Sequence, residues 1–390
     1  VSAEDLLSRA LDDPYPVYDM VRSRGRLQWI DGLDRWMVTG HRQALEVLRH
    51  PKFSSDRSRW DGYELPPGHD RPPGGMFVMD PPDHTRLRSL VQQAFTPRVV
   101  ERLRPRVHAL VETALDAAAE RGETDLMADY AGPLPATVLA ELLGIPAADQ
   151  ELFRHWTMTL IETIDPVSHH LVSDAGTQAQ ASLERYLADV IAERRLAPQP
   201  DLISSLVAAE EAGERLSGKE LRDMCILLTI AGLETSANLI GNGINALLDH
   251  PDQAARLRAE PGLITTAVEE LLRFDSPIQV SGRVPVEDVE VDGKLLRKGQ
   301  MVGIMLGGAN RDPDAFAEPG RLDLARTPNN HLAFGRGLHF CLGAPLARVE
   351  GAIAIAALNS RFPGLSRAGE PKRRHNVHVR GLATLPVKLG

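Results

Sequence analysis

Apolar residues recur at helical spacing along most of the chain. Residues 99–120 (VVERLRPRVHALVETALDAAAE) place them three and four positions apart and end before Gly122, which predicts a helix. Residues 178–195 follow the same pattern and stop short of Pro198. Alternation of period two is confined to two stretches. Residues 26–40 read as a hairpin with a glycine-containing turn, and residues 289–306 as a second, turned at Asp292-Gly293. The expected fold class is therefore mainly α with a small β region.

The most informative helix is predicted over residues 219–249. Ser217 and Glu220 make a capping box at its start, and Pro251 follows its end. At the α-helical rise it would run roughly 45 Å. Residues 225–231 (CILLTIA) are apolar on every face except at Thr229, the pattern of a helix buried all round. Gly232 and Glu234 come next. A mid-helix glycine costs ~1 kcal/mol against alanine, and a carboxylate in a core must be paired or protonated. Two unfavourable choices in the best-buried helix fit either a site or a bend with a satisfied glutamate.

Composition narrows the class. At 43% hydrophobic and 25% charged, with no biased tract, the chain is neither disordered nor collagenous. A net charge of −9 gives no basic footprint for nucleic acid. Two cysteines, Cys225 and Cys341, allow neither a disulfide framework nor a Cys-rich zinc site. The start of the chain is acidic, and no run of ~18 apolar residues occurs. The expectation is a protein of the reducing cytoplasm with no membrane partner. There is no repeat and no linker, so residues 1–390 are expected to form a single domain. Residues 66–75 (PPGHDRPPGG) form the one long Pro/Gly-rich stretch, to be read as a lid, a binding loop or plain surface.

The chemistry concentrates at Phe334-Gly335-Arg336-Gly337-Leu338-His339-Phe340-Cys341-Leu342-Gly343. One cysteine stands in a glycine-rich loop directly before an amphipathic helix predicted at residues 345–360. Glycines at 335, 337 and 343 permit positive φ and close backbone approach to something flat. The N–H groups of a helix start favour thiolate over thiol. Cys341 is thus a candidate nucleophile or metal ligand, whereas Cys225 reads as a core residue.

This segment resembles the haem-binding signature of the cytochrome P-450 family, FxxGxxxCxG, and the resemblance runs over nearly the whole chain, closest to soluble bacterial members that tailor secondary metabolites. It implies the cytochrome P-450 fold, with the long central helix crossing over haem b, and Cys341 as the iron ligand within Phe334, Gly335 and Gly343. Glu270 and Arg273 match the family's ExxR, with Arg321 in the place of the third, meander residue. His84, Arg88, Arg283 and His339 match positions that hold the haem propionates. Ala231-Gly232-Leu233-Glu234-Thr235 is similar to the oxygen-activation motif. Glu234 and Thr235 would deliver protons, and Gly232 would leave room for a diatomic ligand.

Further expectations rest on the same resemblance. A bulky organic substrate would meet the loop from about Trp60 to Phe77, residues 161–171, Leu227, Ile230 and Ala231, Gln279 to Ser281, and His378 and Val379. His169 and His170 read as exposed residues of a variable loop. The chain has no flavin or nucleotide fingerprint, so electrons would come from a ferredoxin and its reductase, docked on Arg88, Arg98, Arg336 and Arg348. The activity implied is insertion of one oxygen atom from O₂, with oxidative coupling or a non-catalytic haem protein as rivals.

Overall fold

The computed structural model describes residues 9–11, 13–65, 74–163, 173–211 and 216–390. Most of residues 66–75, residues 164–171 with His169 and His170, and the side chains of residues 161 and 162 lie outside the described set.

Helices dominate, as the apolar spacing predicts. Six position the site: α1 (Pro14–Ser23), α2 (Asp83–Val91), α3 (Pro97–Arg121), α4 (Gly218–Asp249), α5 (Ile264–Phe274) and α6 (Ala344–Arg361). The helix expected at 178–195 spans Asp174–Leu196, one turn longer at its start, where the Ser173 side chain caps the Gly176 N–H. At α4 both halves of the capping box form: Ser217 Oγ accepts from the Glu220 N–H, and Glu220 accepts from the Ser217 N–H.

Helix α4 is the axis of the core. By length and hydropathy alone it could cross a membrane, yet 67% of its most apolar stretch is buried inside the fold. It packs on the helix Pro133–Leu143, on α5 and on α6, and Leu221, Cys225, Leu233, Ile240 and Ile244 are all at most 2% exposed. Gly232 does not break the helix. A Cβ there would lie 3.0 Å from Leu139 Cδ2, so a close helix crossing also explains the glycine.

The largest sheet runs β1 (Leu27–Ile30), β2 (Arg35–Val38), β5 (Met301–Met305), β4 (Val280–Pro285), β3 (Phe53–Ser54). Strands β2 and β5 are parallel, and the other neighbours are antiparallel. The first predicted hairpin is β1–β2, turned at Asp34 in the left-handed region. The second is shorter than expected. Val289–Val291 pairs with Lys294–Leu296 around Asp292-Gly293, both at positive φ. Residues 301–305 leave it to form β5, after a turn at Gly299 with φ +81°. All five residues of β5 are buried, so this segment belongs at the centre of a sheet rather than at a hairpin edge.

Candidate active site

The cysteine loop is built by its backbone. Cys341 N–H donates to Phe334 O at 2.9 Å, and Gly335 N–H donates to Leu332 O at 2.8 Å. Gly335 and Gly337 take φ +68° and +77°. At Gly337 a side chain would also strike the backbone beside it, since a Cβ would fall 2.4 Å from Leu48 O. Gly343 differs from expectation: its φ is −80°, and it serves as the residue that opens α6. Phe334 packs edge-on to Phe340 and lies under the Arg348 guanidinium, 4.5 Å from its ring centre.

Two influences compete at the Cys341 sulfur. Burial pushes the thiol up, while the Gly343 and Ala344 N–H groups and the Arg88 and Arg348 charges pull it down. The helix start does favour the thiolate, as expected, but burial outweighs it. The protein supplies donors but not enough charge, and a cation bound at the sulfur would complete the deprotonation. Among the described residues no cluster of three His, Cys, Asp or Glu could hold a metal. Cys341 is a single-donor site, suited to a metal whose other ligands come from a macrocycle.

The four expected propionate partners come together. His84 and His339 stack with ring centres 4.1 Å apart. His84 is 1% exposed, and neither of its ring nitrogens has a hydrogen-bond partner among the described residues. Burial, then Arg283, His84 and Arg88, push His339 down to about 3. Burial pushes the buried Arg283 down to about 10, against the pull of Asp80. Arg283 donates to Ser281 Oγ and Gly282 O, and Arg88 to Phe340 O at 2.7 Å. Two guanidiniums and two imidazoles are thus held close together, with one carboxylate, Asp80, acting on them. Such a cluster demands anions, and two carboxylates at the edge of a haem satisfy that demand.

Leu227, Ile230, Ala231 and Thr235 share one face of α4; Ala231 is exposed and the others are half-buried, unlike the buried faces around them. Thr235 Oγ1 donates to Ala231 O at 2.8 Å, which leaves its lone pairs free to accept. Glu234 is 8% exposed, with Arg374 Nε 4.0 Å from its Oε1. On α6, Glu350 is 2% exposed. Burial pushes its carboxyl up to about 8 against a hydrogen bond from Ser236, the neighbour of Thr235.

Several expectations are corrected. Gln279 does not face a substrate: it is 1% exposed, accepts from Tyr18 Oη at 3.0 Å and donates to Ser276 O at 2.8 Å. Ser281, His378 and Val379 are half-buried near it; Ser281 Oγ is engaged by Arg283. The third partner of the ExxR pair is Arg326, not Arg321. Arg273 and Glu270 are fully buried and doubly bonded at 2.7 and 2.8 Å, and Arg326 Nε reaches both Glu270 oxygens at 3.1 Å. Arg321 lends only its carbonyl to Arg273 while its side chain pairs with Glu318 at the surface. Of the four arginines expected to dock a redox partner, Arg348 is spent on Glu269 at 2.6 and 2.8 Å, and Arg88 is turned inward. Arg98 is exposed and Arg336 half-buried, and burial, then the nearby exposed Arg49, depresses Arg336. Nothing in the local sequence around Arg326 signals its partnership with Glu270, which arises from loop packing.

Comparison with known proteins agrees. The Cytochrome P450 family model matches residues 151–388. The polyketide biosynthesis cytochrome P450 PksS of Bacillus subtilis is 46% identical over 91% of this chain and 89% of its own. The cytochrome P450 monooxygenase PikC of Streptomyces venezuelae is 42% identical over 96% and 91%. The crystal structure of P450BioI in complex with an acyl carrier protein carrying hexadec-9Z-enoic acid superposes with TM-score 0.90 at 36% identity, covering 98% of this chain and all of that one. The chain belongs to the cytochrome P450 family, and it is a P450 oxidoreductase whose cofactor is haem b and whose reactants are O₂ and a small molecule.

Proposed function

We propose that this enzyme inserts one oxygen atom of O₂ into a bulky organic substrate, by hydroxylation or epoxidation, in tailoring a secondary metabolite of polyketide or macrolide type. The observation that carries the site assignment is the cluster of buried His84 and Arg283 with half-buried His339 and Arg88, beside the half-buried Cys341 thiol. In this reading Cys341 binds the iron, and the four cationic or imidazole side chains hold the propionates. Bound haem supplies the binding and reductive activation of O₂. Thr235 accepts and passes on a proton at its Oγ1, and Glu234 behind it renews that proton. Leu227, Ile230 and Ala231 present an apolar wall to the substrate. The acid–hydroxyl pair favours oxygen insertion over oxidative coupling, and over a haem protein without catalysis. The metabolite class rests on the polyketide relative. Electrons would come from a cytoplasmic ferredoxin and its reductase, docked on Arg49, Arg98 and Arg336.

Two measurements test this. Cys341→Ser should abolish the thiolate-type spectrum of the ferrous CO complex, and an unchanged spectrum refutes the ligand assignment. A compound library screened by ligand-induced shifts of the haem absorption should yield binders. Turnover of these under ¹⁸O₂ should give products carrying one labelled oxygen; coupled products without label would reject oxygen insertion.

A further inference from the structure

Three charged side chains follow strand β3, and one of them has no counterpart. Strand β3 pairs antiparallel with β4, Ser54 opposite Val284, so the chain leaves the sheet beside Arg283. The 3₁₀ turn Arg57–Arg59 comes next and packs against β4. Asp56 caps that turn, accepting from the Ser58 N–H at 3.0 Å and from Ser58 Oγ at 2.6 Å. Asp80 accepts from the Ser55 N–H at 3.0 Å and from Ser54 Oγ. Arg59, with its side chain 51% exposed, turns back toward both carboxylates, 3.7 Å from Asp56 and 3.6 Å from Asp80. Both acids are therefore occupied.

Arg57 is different. It is half-buried, and its guanidinium makes no hydrogen bond and no ion pair among the described residues. Burial pushes it down to about 10, and only the half-buried Tyr63 pulls it back; no carboxylate does. After burial, Arg57 is what depresses Arg283, against the pull of Asp80, so the two like charges stand near each other. A guanidinium taken out of water without an anion is costly. Arg88 and Arg283 already match the two propionate charges, and Arg57 remains without one. Burial pushes the Tyr63 phenol up, which keeps its proton in place as a donor. A guanidinium fork beside a phenol O–H is a donor set for a carboxylate. Arg57 also lies just ahead of the loop from about Trp60 to Phe77, where the family resemblance puts substrate.

We propose that Arg57, with Tyr63 beside it, selects a substrate that carries a carboxylate and pairs with that group at the Arg283 edge of the haem site. This deepens the function proposed above, on whose haem site it rests, and narrows the bulky organic substrate to an organic acid. The same chemistry could be met by a haem propionate, and the two sources separate by what is lost when Arg57 is replaced: preference among ligands in the one case, haem itself in the other.

The test uses probes whose imidazole anchors them on the haem iron: N-dodecylimidazole, and ω-imidazolylalkanoic acids of graded chain length, each with its primary amide. Dissociation constants are read on the holoenzyme at neutral pH from the shift of the haem absorption. Wild type should bind the best acid about tenfold more tightly than its amide. Arg57→Gln should bring acid and amide level, with N-dodecylimidazole binding, the ferrous CO spectrum and the haem-to-protein ratio after gel filtration unchanged. Arg57→Lys should keep part of the preference, since an ammonium retains the charge and loses the fork. Acids that bind wild type no better than their amides, while N-dodecylimidazole binds, overturn the proposal and leave the haem site standing; that comparison needs no variant. An acid preference that survives Arg57→Gln removes Arg57 from the role. Loss of haem from Arg57→Gln, with far-UV circular dichroism unchanged, would assign Arg57 to a propionate and overturn the proposal as well. No shift with any of the imidazoles overturns the haem site and the proposal together.

Discussion

Replacing Arg326 should destabilise the fold, whereas replacing Arg321 should not. Glu270 has no exposed side-chain surface, and Arg326, 11% exposed, meets both its oxygens at 3.1 Å. Breaking a buried ion pair costs about 3–5 kcal/mol. Glu270 retains Arg273, the Asp323 N–H and the Asn329 amide, so Arg326→Ala falls at the low end, about 3 kcal/mol. Part of that loss comes from its donor bond to Ala317 O at 2.8 Å. The Arg321 side chain is 64% exposed and its partner Glu318 71%. Such a surface pair contributes less than ~1 kcal/mol, and the carbonyl that Arg321 gives Arg273 survives truncation. For a chain of this size, 3 kcal/mol is a fall in Tm of about 5 °C, extrapolating the usual size scaling. The assay is thermal unfolding followed by far-UV circular dichroism at equal haem loading, because bound cofactor raises Tm by mass action. Arg326→Lys should fall between wild type and Arg326→Ala, since an ammonium cannot present the planar guanidinium fork. Equal losses from Arg321→Ala and Arg326→Ala, or a change below about 0.5 kcal/mol in Arg326→Ala, would refute the reasoning.

Three further expectations follow from the site. Arg283→Ala should loosen haem retention, read as the haem-to-protein ratio after gel filtration; full occupancy would count against a propionate contact. Thr235→Ala should divert electrons from product to peroxide several-fold, measured as coupling of NADPH to product once a substrate is found, and wild-type coupling would remove Thr235 from the relay. Glu350 carries a pH dependence of definite sign. Its carboxyl, pushed up to about 8 from an ordinary 4.5, holds in the folded state a proton that the unfolded chain releases above pH 4.5. Its share of stability is complete below that pH and is lost as pH rises through 8, about 5 kcal/mol in all at about 1.4 per pH unit. Glu350→Gln should flatten the curve of unfolding free energy from pH 5 to 9, and an unchanged slope would show that Glu350 is ionised in the fold.

What the sequence made legible was whatever a short window contains. The capping box at Ser217 and Glu220, the helix from 97 to 121 and the turn at Asp292-Gly293 depend on neighbours a few positions away, and each appears where the spacing puts it. The grouping of His84, Arg88, Arg283 and His339 was accessible only through the resemblance, because strand β4, helix α2 and the cysteine loop are far apart in the chain. Side-chain partnerships between segments distant in the chain were not legible. Gln279 lies beside Ser281 in sequence yet spends its amide on Tyr18 and Ser276. Arg321 and Arg326 are five residues apart in an irregular loop, where no periodicity tells which one turns inward. Arg348 looks like a surface charge on α6 until Glu269, on α5, accepts from its Nε and Nη2.

The electrostatics of the site form one argument rather than a set of local oddities. Burial drives Cys341 toward the neutral thiol, and it drives His84, His339 and Arg283 toward losing their charge. A single group relieves all four if it is cationic at its centre, where it meets the sulfur, and doubly anionic at one edge, where it meets the cluster. A ferric porphyrin with two propionates has that distribution. Each half would then strengthen the other, because His84 and Arg283, by ordering the edge, would favour bonding at Cys341, and Cys341, by holding the centre, would favour contact at the edge. Arg283→Ala and Cys341→Ser should therefore be coupled in haem retention. The double variant should lose less than the product of the single losses, as expected for contacts that share one ligand. Strictly multiplicative losses, measured by haem transfer to apomyoglobin, would mean that the two ends act independently and would break this account of the site.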